Sequence, residues 1–269
     1  MTAATVAPSV PTPVTGAGRV TFPRVVRSEW TKFRSLRSTW WSLGTAVVLI
    51  VGLGALVASQ GGIDVAHPTN IARTTLIGVV FGQLVTAVLA VLLVSGEYGT
   101  GMIRASMTAV PKRLPVLWAK AAVYTAVVLP LTLVTALVTF LLGQAIRSGR
   151  GLPTASLGDP GVLRIVVGSS LYVTVAGLLA LGIATVIRST AAGVAAVVGL
   201  YFVVPIVANL LPASINGFAP YLPSNAGGAV WDMSMTDGSM APWTGFALLA
   251  GYAAVALAAG VYRLLRTDV

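Results

Sequence analysis

The chain contains no cysteine, a single histidine, three lysines and seven acidic residues, and only 9% of its 269 residues are charged. Without cysteine there is no disulfide frame, no thiolate metal site and no thiol redox chemistry. A lone histidine, His67, leaves zinc-type clusters without a second imidazole. Lys32, Lys112 and Lys120 follow Thr, Pro and Ala, so a phosphate-cradling GxxxxGK[ST] loop is impossible and the chain has no nucleotide motif of its own. A serine nucleophile fares no better. Ser170 follows Gly168 in a GxS context, but its base would have to be His67, which the sequence puts in a loop.

What the chain has in abundance is apolar length. With 56% hydrophobic residues and a mean hydropathy of +0.90, it could not present a soluble globular surface. Six stretches are free of Asp, Glu, Lys, Arg and His: Trp41 to Ser59, Thr74 to Val94, Ala121 to Leu142, Ile165 to Ile187, Thr190 to Leu211 and Trp243 to Tyr262. A hydrocarbon layer about 30 Å thick is crossed by about 20 helical residues. The reading is an all-α integral membrane protein with six transmembrane helices. Forty residues and six basic side chains precede Trp41, so the first stretch reads as a retained span rather than a cleaved signal. No Asp, Glu, Lys, Arg or His lies inside a stretch, which disfavours a proton relay, an ion site or a voltage sensor.

Charge sets the expected orientation. With the N-terminus in the cytoplasm, Arg19, Arg24, Arg27, Lys32, Arg34, Arg37, Arg104, Lys112, Arg113, Lys120, Arg188, Arg263 and Arg266 fall inside, against Arg73, Arg147, Arg150 and Arg164 outside. The acids are split between Glu29, Glu97 and Asp268 inside and Asp64, Asp159, Asp232 and Asp237 outside, so the formal +10 lies wholly on one side. The positive-inside bias places both termini in the cytoplasm and the chain in the cytoplasmic membrane. The basic excess is read as a match to anionic headgroups rather than to nucleic acid.

Between the stretches the text is uneven. Residues 1–22, rich in Pro, Thr, Ala and Val, read as a disordered tail, and residues 23–269 as the membrane domain. From Pro23 to Trp41 a basic amphipathic helix is expected, with Val26, Trp30, Phe33, Leu36 and Trp40 on one side and Arg24, Arg27, Thr31, Ser35 and Ser38 on the other. Glu29 and Arg37 break that pattern. Either they snorkel at its edge or they meet a cytoplasmic partner.

In the second stretch GVVFG (Gly78 to Gly82) allows close helix approach, for packing within the chain or for a dimer seam or cavity wall in which Gln83 is the polar point. Ser95 to Lys120 is too polar for membrane; Thr100 to Thr108 can form a short helix, with Met102, Ile103 and Met107 beside Arg104 and Pro111 as its stop. Pro130 and Pro205 are expected to kink spans three and five. Pro212 to Pro242, with Tyr221, Trp231 and Trp243 in or beside it, is expected to lie on or dip into the outer leaflet. Its Asp232 and Asp237 are two isolated carboxylates, the usual arrangement of solvated loop acids.

SEWTKFRSLRSTWWSL (Ser28 to Leu43), EYGTGMIRASMTAVPKR (Glu97 to Arg113) and the following VLWAKA resemble the permease subunits of bacterial ABC transporters of the ABC-2 type, especially actinobacterial ones. The likeness covers about Ser28 to Arg266 and is specific in those segments. It implies a six-span half that pairs with a second copy or a related permease and docks separate ABC ATP-binding subunits, with ATP and Mg on the partner and no cofactor on this chain. The N-terminal basic helix would then be an elbow helix, with Glu29, Trp30, Lys32, Phe33 and Arg37 as its contact residues. Gly99 to Thr108 would be a cytoplasmic coupling helix, with Glu97, Gly101, Met102, Arg104 and Met107 at the partner. The cavity wall would fall to spans two and five, nominating Gln83, Thr86 and Asn209. The resulting expectation is an ATP-driven exporter of a lipophilic or amphipathic substrate. The competing expectation is a non-transporting assembly or sensory subunit that docks a cytoplasmic partner.

Overall fold

The computed structural model of the protein describes residues 21–60, 67–99, 114–212, 216–231 and 240–266. Except for its last two residues, the tail 1–22 lies outside them.

Helix α1 (Phe22–Ser35) starts from an extended Thr21 with Pro23 in its first turn, where a missing N–H costs nothing. It stops at Leu36, which is extended (φ −81°, ψ 119°), and α2 (Arg37–Ala58) begins at once. The expected helix to Trp41 is therefore two helices, and Arg37 opens the first span instead of ending the elbow. No Gly or Pro marks this break. Trp40 makes it possible by folding back, its indole Nε1 donating to Arg34 O at 3.0 Å, a carbonyl that α1 leaves open at its end.

The second stretch is also divided. A short helix α3 (Pro68–Thr75) precedes a turn at Leu76–Gly78, and the spanning helix α4 (Val79–Gly99) begins after it. Gly78 and Gly82 both face α2: a Cβ on Gly78 would lie 2.6 Å from Ile50 O and 2.7 Å from Leu49 O, and one on Gly82 would strike the Ile50 side chain. The GVVFG pattern thus serves packing within the chain.

Helix α5 (Leu114–Gly149) runs 36 residues through Pro130. At 1.5 Å per residue it is about 54 Å long, far more than the hydrocarbon thickness, so both its ends project. Helix α6 (Val162–Ile187) follows. The fifth span is composite: α7 (Thr190–Val198), a π-helical turn Gly199–Val203, and α8 (Val204–Leu210). Pro205 sits just after the π turn, where the widened backbone absorbs the bond that proline cannot make. Then come a 3-10 turn Ala219–Tyr221, a short helix α9 (Pro223–Gly228) and the last span α10 (Pro242–Arg266).

Among the described residues there is no strand, and six helical segments are long and apolar enough to cross a membrane: α2, α4, α5, α6, α7 through α8, and α10. The protein is all-α. Helix α6 is the hub of the bundle, packing on α4, α5 and α10, while α2 packs on α4 and α5. Small residues on α6 permit this. Tyr124 of α5 fills the space beside Gly177, Ala256 of α10 leaves only 2.7 Å for a Cβ on Gly182, and Val230 O leaves 2.9 Å on Gly168. The last contact is made by the segment after α9; its Val230 and Trp231, with Ala226 of α9, are buried at one end of the bundle. On the opposite end α6 and α10 clasp each other's carbonyls: Arg188 Nη2 donates to Arg263 O at 3.2 Å, and Arg263 Nη1 donates to Val186 O.

Candidate functional site: a buried ion cluster

Four ionisable side chains from three helices converge at the end of the bundle where α1 lies. Helix α1 contributes Glu29 and Lys32, one turn apart. Helix α4 contributes Glu97 from its last turn, and α5 contributes Lys120 from its second. Lys120 Nζ donates to Glu29 Oε2 at 2.6 Å and to Glu97 Oε1 at 2.7 Å. Lys32 Nζ donates to Glu29 Oε1 at 2.8 Å and to Glu97 Oε1 at 2.9 Å. The ring closes: each ammonium bridges both carboxylates, and the charges cancel.

Burial makes this arrangement consequential. The side chains of Glu29, Lys120 and Glu97 are 5%, 8% and 9% exposed, whereas Lys32, at 26%, forms the lid. Burial lowers the affinity of the Lys32 ammonium for its proton, but hydrogen bonds and charge from Glu29 and Glu97 more than reverse this, and its pKa is raised above 10.5. Glu97 Oε2 is buried without a hydrogen-bond partner among the described residues. Removing one member of such a group strands a charge and typically costs about 3–5 kcal/mol.

The local sequence explains the convergence. Val25, Glu29 and Phe33 recur every four residues and form the buried stripe of α1. Glu29 is the polar member of that stripe, and Lys120 is what it meets. Val25 packs with Val116 and Ala119 of α5 on one side of this pair, and Phe33 enters the main core on the other. Its position off the polar face, read from sequence as a snorkelling edge or a partner contact, is instead an intramolecular one. Lys120 was legible only as one more basic residue. The missed signal was its place immediately before an uncharged stretch, with two acids elsewhere on the same side in need of cations.

The remaining nominated residues separate. Trp30 is 44% exposed and stacks on Phe33 with ring centroids 6.4 Å apart. Arg37 is exposed on the first turn of α2. Gln83 and Thr86 are buried inside the bundle at 3% and 1% exposure; the Thr86 hydroxyl donates within its own helix, and its carbonyl accepts from Tyr124 Oη at 3.2 Å. Asn209 is exposed on α8. Gly101, Met102, Arg104 and Met107 lie outside the described residues, as do Asp232 and Asp237.

His67 caps α3, its Nδ1 accepting from Thr69 N at 3.4 Å. Ser170 donates to Val166 O in its own helix. Among the described residues no three His, Cys, Asp or Glu side chains gather as metal ligands. No known protein-family model matches this chain, and no curated protein matches it.

Proposed function

We propose that this chain is the membrane-spanning permease half of an ATP-driven exporter of the ABC-2 type, lying in the cytoplasmic membrane with both termini inside. A second permease would complete the pathway and separate subunits would bind ATP. The observation that carries the reading is the ion cluster. Residues 100–113 connect α4 to α5 in the chain, and the cluster joins the adjoining ends of those two helices to each other and to α1. A push on the segment therefore reaches α4, α5 and the interfacial helix together rather than dissipating in a loop. The six stretches without Asp, Glu, Lys, Arg or His inside these spans favour a lipophilic or amphipathic cargo, because a wall without fixed charge offers little to an ion.

The test is reconstitution. The chain is co-expressed with a candidate ATP-binding subunit, purified from membranes and placed in liposomes, where ATP hydrolysis and movement of lipophilic dyes are followed. The expected result is a stable complex whose hydrolysis is coupled to dye export, and which Glu97→Ala and Arg104→Ala uncouple while both variants still insert in the membrane. A complex that assembles without transport would replace this reading with a docking or sensory role. Saturable ATPase activity of the isolated chain would overturn it.

A further inference from the structure

Helix α1 and helix α5 do not close on each other completely. Beside the Val25–Val116–Ala119 contact lies an open groove of about 490 Å³. Its α1 wall is Phe22, Pro23, Val26, Arg27 and Trp30, and its floor is Ala122, Val123 and Ala126 of α5. The two alanines keep the floor low. The interior is aliphatic and aromatic.

The charge around this groove is one-sided. Glu29 is the sole acid of α1, and the ion cluster consumes it together with Lys32. Arg24, Arg27 and Arg34 are exposed on the same helix, and Arg27 pairs with no acid among the described residues. The groove thus joins an apolar trough beside the first uncharged stretch of α5 to a guanidinium at its rim. A soluble anion would have no use for the trough, and a neutral hydrocarbon none for the arginine.

We propose that this groove holds one anionic glycerophospholipid, its acyl chain along Ala122, Val123 and Ala126 and its phosphate on Arg27, with Trp30 at the headgroup level. The lipid would wedge the interfacial helix at a fixed angle beside the ion cluster. This inference is independent of the transport proposal, since it requires only that the chain lie in a membrane.

Native mass spectrometry of the purified full-length chain, titrated in detergent with phosphatidylglycerol or with phosphatidylcholine of the same acyl chains, tests it. One phosphatidylglycerol should be retained in preference to phosphatidylcholine by about fivefold or more, the contribution of one basic side chain near a headgroup. Arg27→Gln, an exposed change that disturbs no packing, should abolish the preference. Ala126→Trp, which fills the trough, should remove binding of both lipids, with circular dichroism as the control for folding. Equal retention of the two lipids by the unaltered chain would mean ordinary annular contact and overturn the proposal. So would a folded Ala126→Trp variant that binds phosphatidylglycerol as before, or an unchanged preference in Arg27→Gln.

Discussion

Lys120 and Glu97, 23 residues apart in the chain, meet at 2.7 Å in a site almost closed to solvent, and between them they bound the segment 100–113. Because Lys120 also holds Glu29 at 2.6 Å, its removal leaves two carboxylates facing one remaining cation. Lys120→Met should lower the stability of the purified protein by about 3–5 kcal/mol. Glu29→Gln added to Lys120→Met should cost much less than the two single losses together, because both act in one network. Thermal melts in detergent read this directly. A single-variant loss below about 1 kcal/mol, the size of a solvated surface pair, would mean that the cluster does not hold α1.

Lys32 gives the cluster a pH limit. Its folded pKa lies above the ordinary 10.5, so its ion pairs contribute fully below that pH and are lost as the pH rises through the raised value. Lys32→Arg retains its charge in this range, since a guanidinium loses its proton only above about pH 12. Comparing melts at about pH 9 and about pH 11.5, the unaltered chain should lose more stability than Lys32→Arg, all other titrating groups being common to both. Equal losses would show that Lys32 does not titrate in contact with Glu29 and Glu97.

Glycines on and against α2 should divide sharply. A methyl group on Gly78 meets only backbone, Ile50 O at 2.6 Å and Leu49 O at 2.7 Å, whereas one on Gly52 meets nothing within 4 Å. Gly78→Ala should therefore destabilise by about 1–3 kcal/mol, the usual cost of forcing atoms into a packed contact. Gly52→Ala, in the middle of a helix, should stabilise by roughly 0.5–1 kcal/mol. Melting temperatures that move in the same direction would contradict the α2–α4 packing.

Span number and helical class were legible because a bilayer imposes length and apolarity: four of the six stretches coincide with helices to within about four residues at each end, and Ala121 to Leu142 lies inside the longer α5. The second stretch is displaced from its helix. Its helix cannot start at Thr74, because Gly78 abuts the α2 backbone and the chain turns there; only a contact partner distant in sequence decides that. Leu36 is equally silent: it is an ordinary helix former, and the break depends on where Trp40 folds. At the site, Glu29 broke the amphipathic pattern of its helix, whereas Lys32 and Glu97 were nominated only through the family resemblance. Their meeting was not legible, since pairing across 91 residues depends on how α1 lies along α5.

The proposed orientation is testable at exposed residues on the two ends of the bundle. Thr154 lies in the connection between α5 and α6, and Ser28 is exposed on α1, at opposite ends of the bundle. The chain has no cysteine, so single Thr154→Cys and Ser28→Cys variants carry no background. An impermeant maleimide applied to intact cells should label Thr154→Cys and spare Ser28→Cys until the membrane is opened. Labelling of Ser28→Cys alone in intact cells would reverse the topology.

The shortest connection between spans, from α6 to α7, depends on Arg188. This residue is left-handed (φ 61°, ψ 15°), the only non-glycine with positive φ among the described residues, and its N–H closes α6 on Ala184 O at 2.9 Å. A Cβ in that conformation costs roughly 1–2 kcal/mol, which glycine escapes. The arginine is retained at that cost because its guanidinium reaches Arg263 O on α10. Two variants separate these terms. Arg188→Ala loses the guanidinium contact and keeps the backbone strain; Arg188→Gly loses the contact but relieves the strain. Arg188→Gly should thus melt above Arg188→Ala by the equivalent of about 1 kcal/mol, less the greater chain entropy of unfolded glycine. If the alanine variant is as stable as the glycine variant, the turn is not held left-handed in the folded protein, and the clasp between α6 and α10 has to be drawn differently.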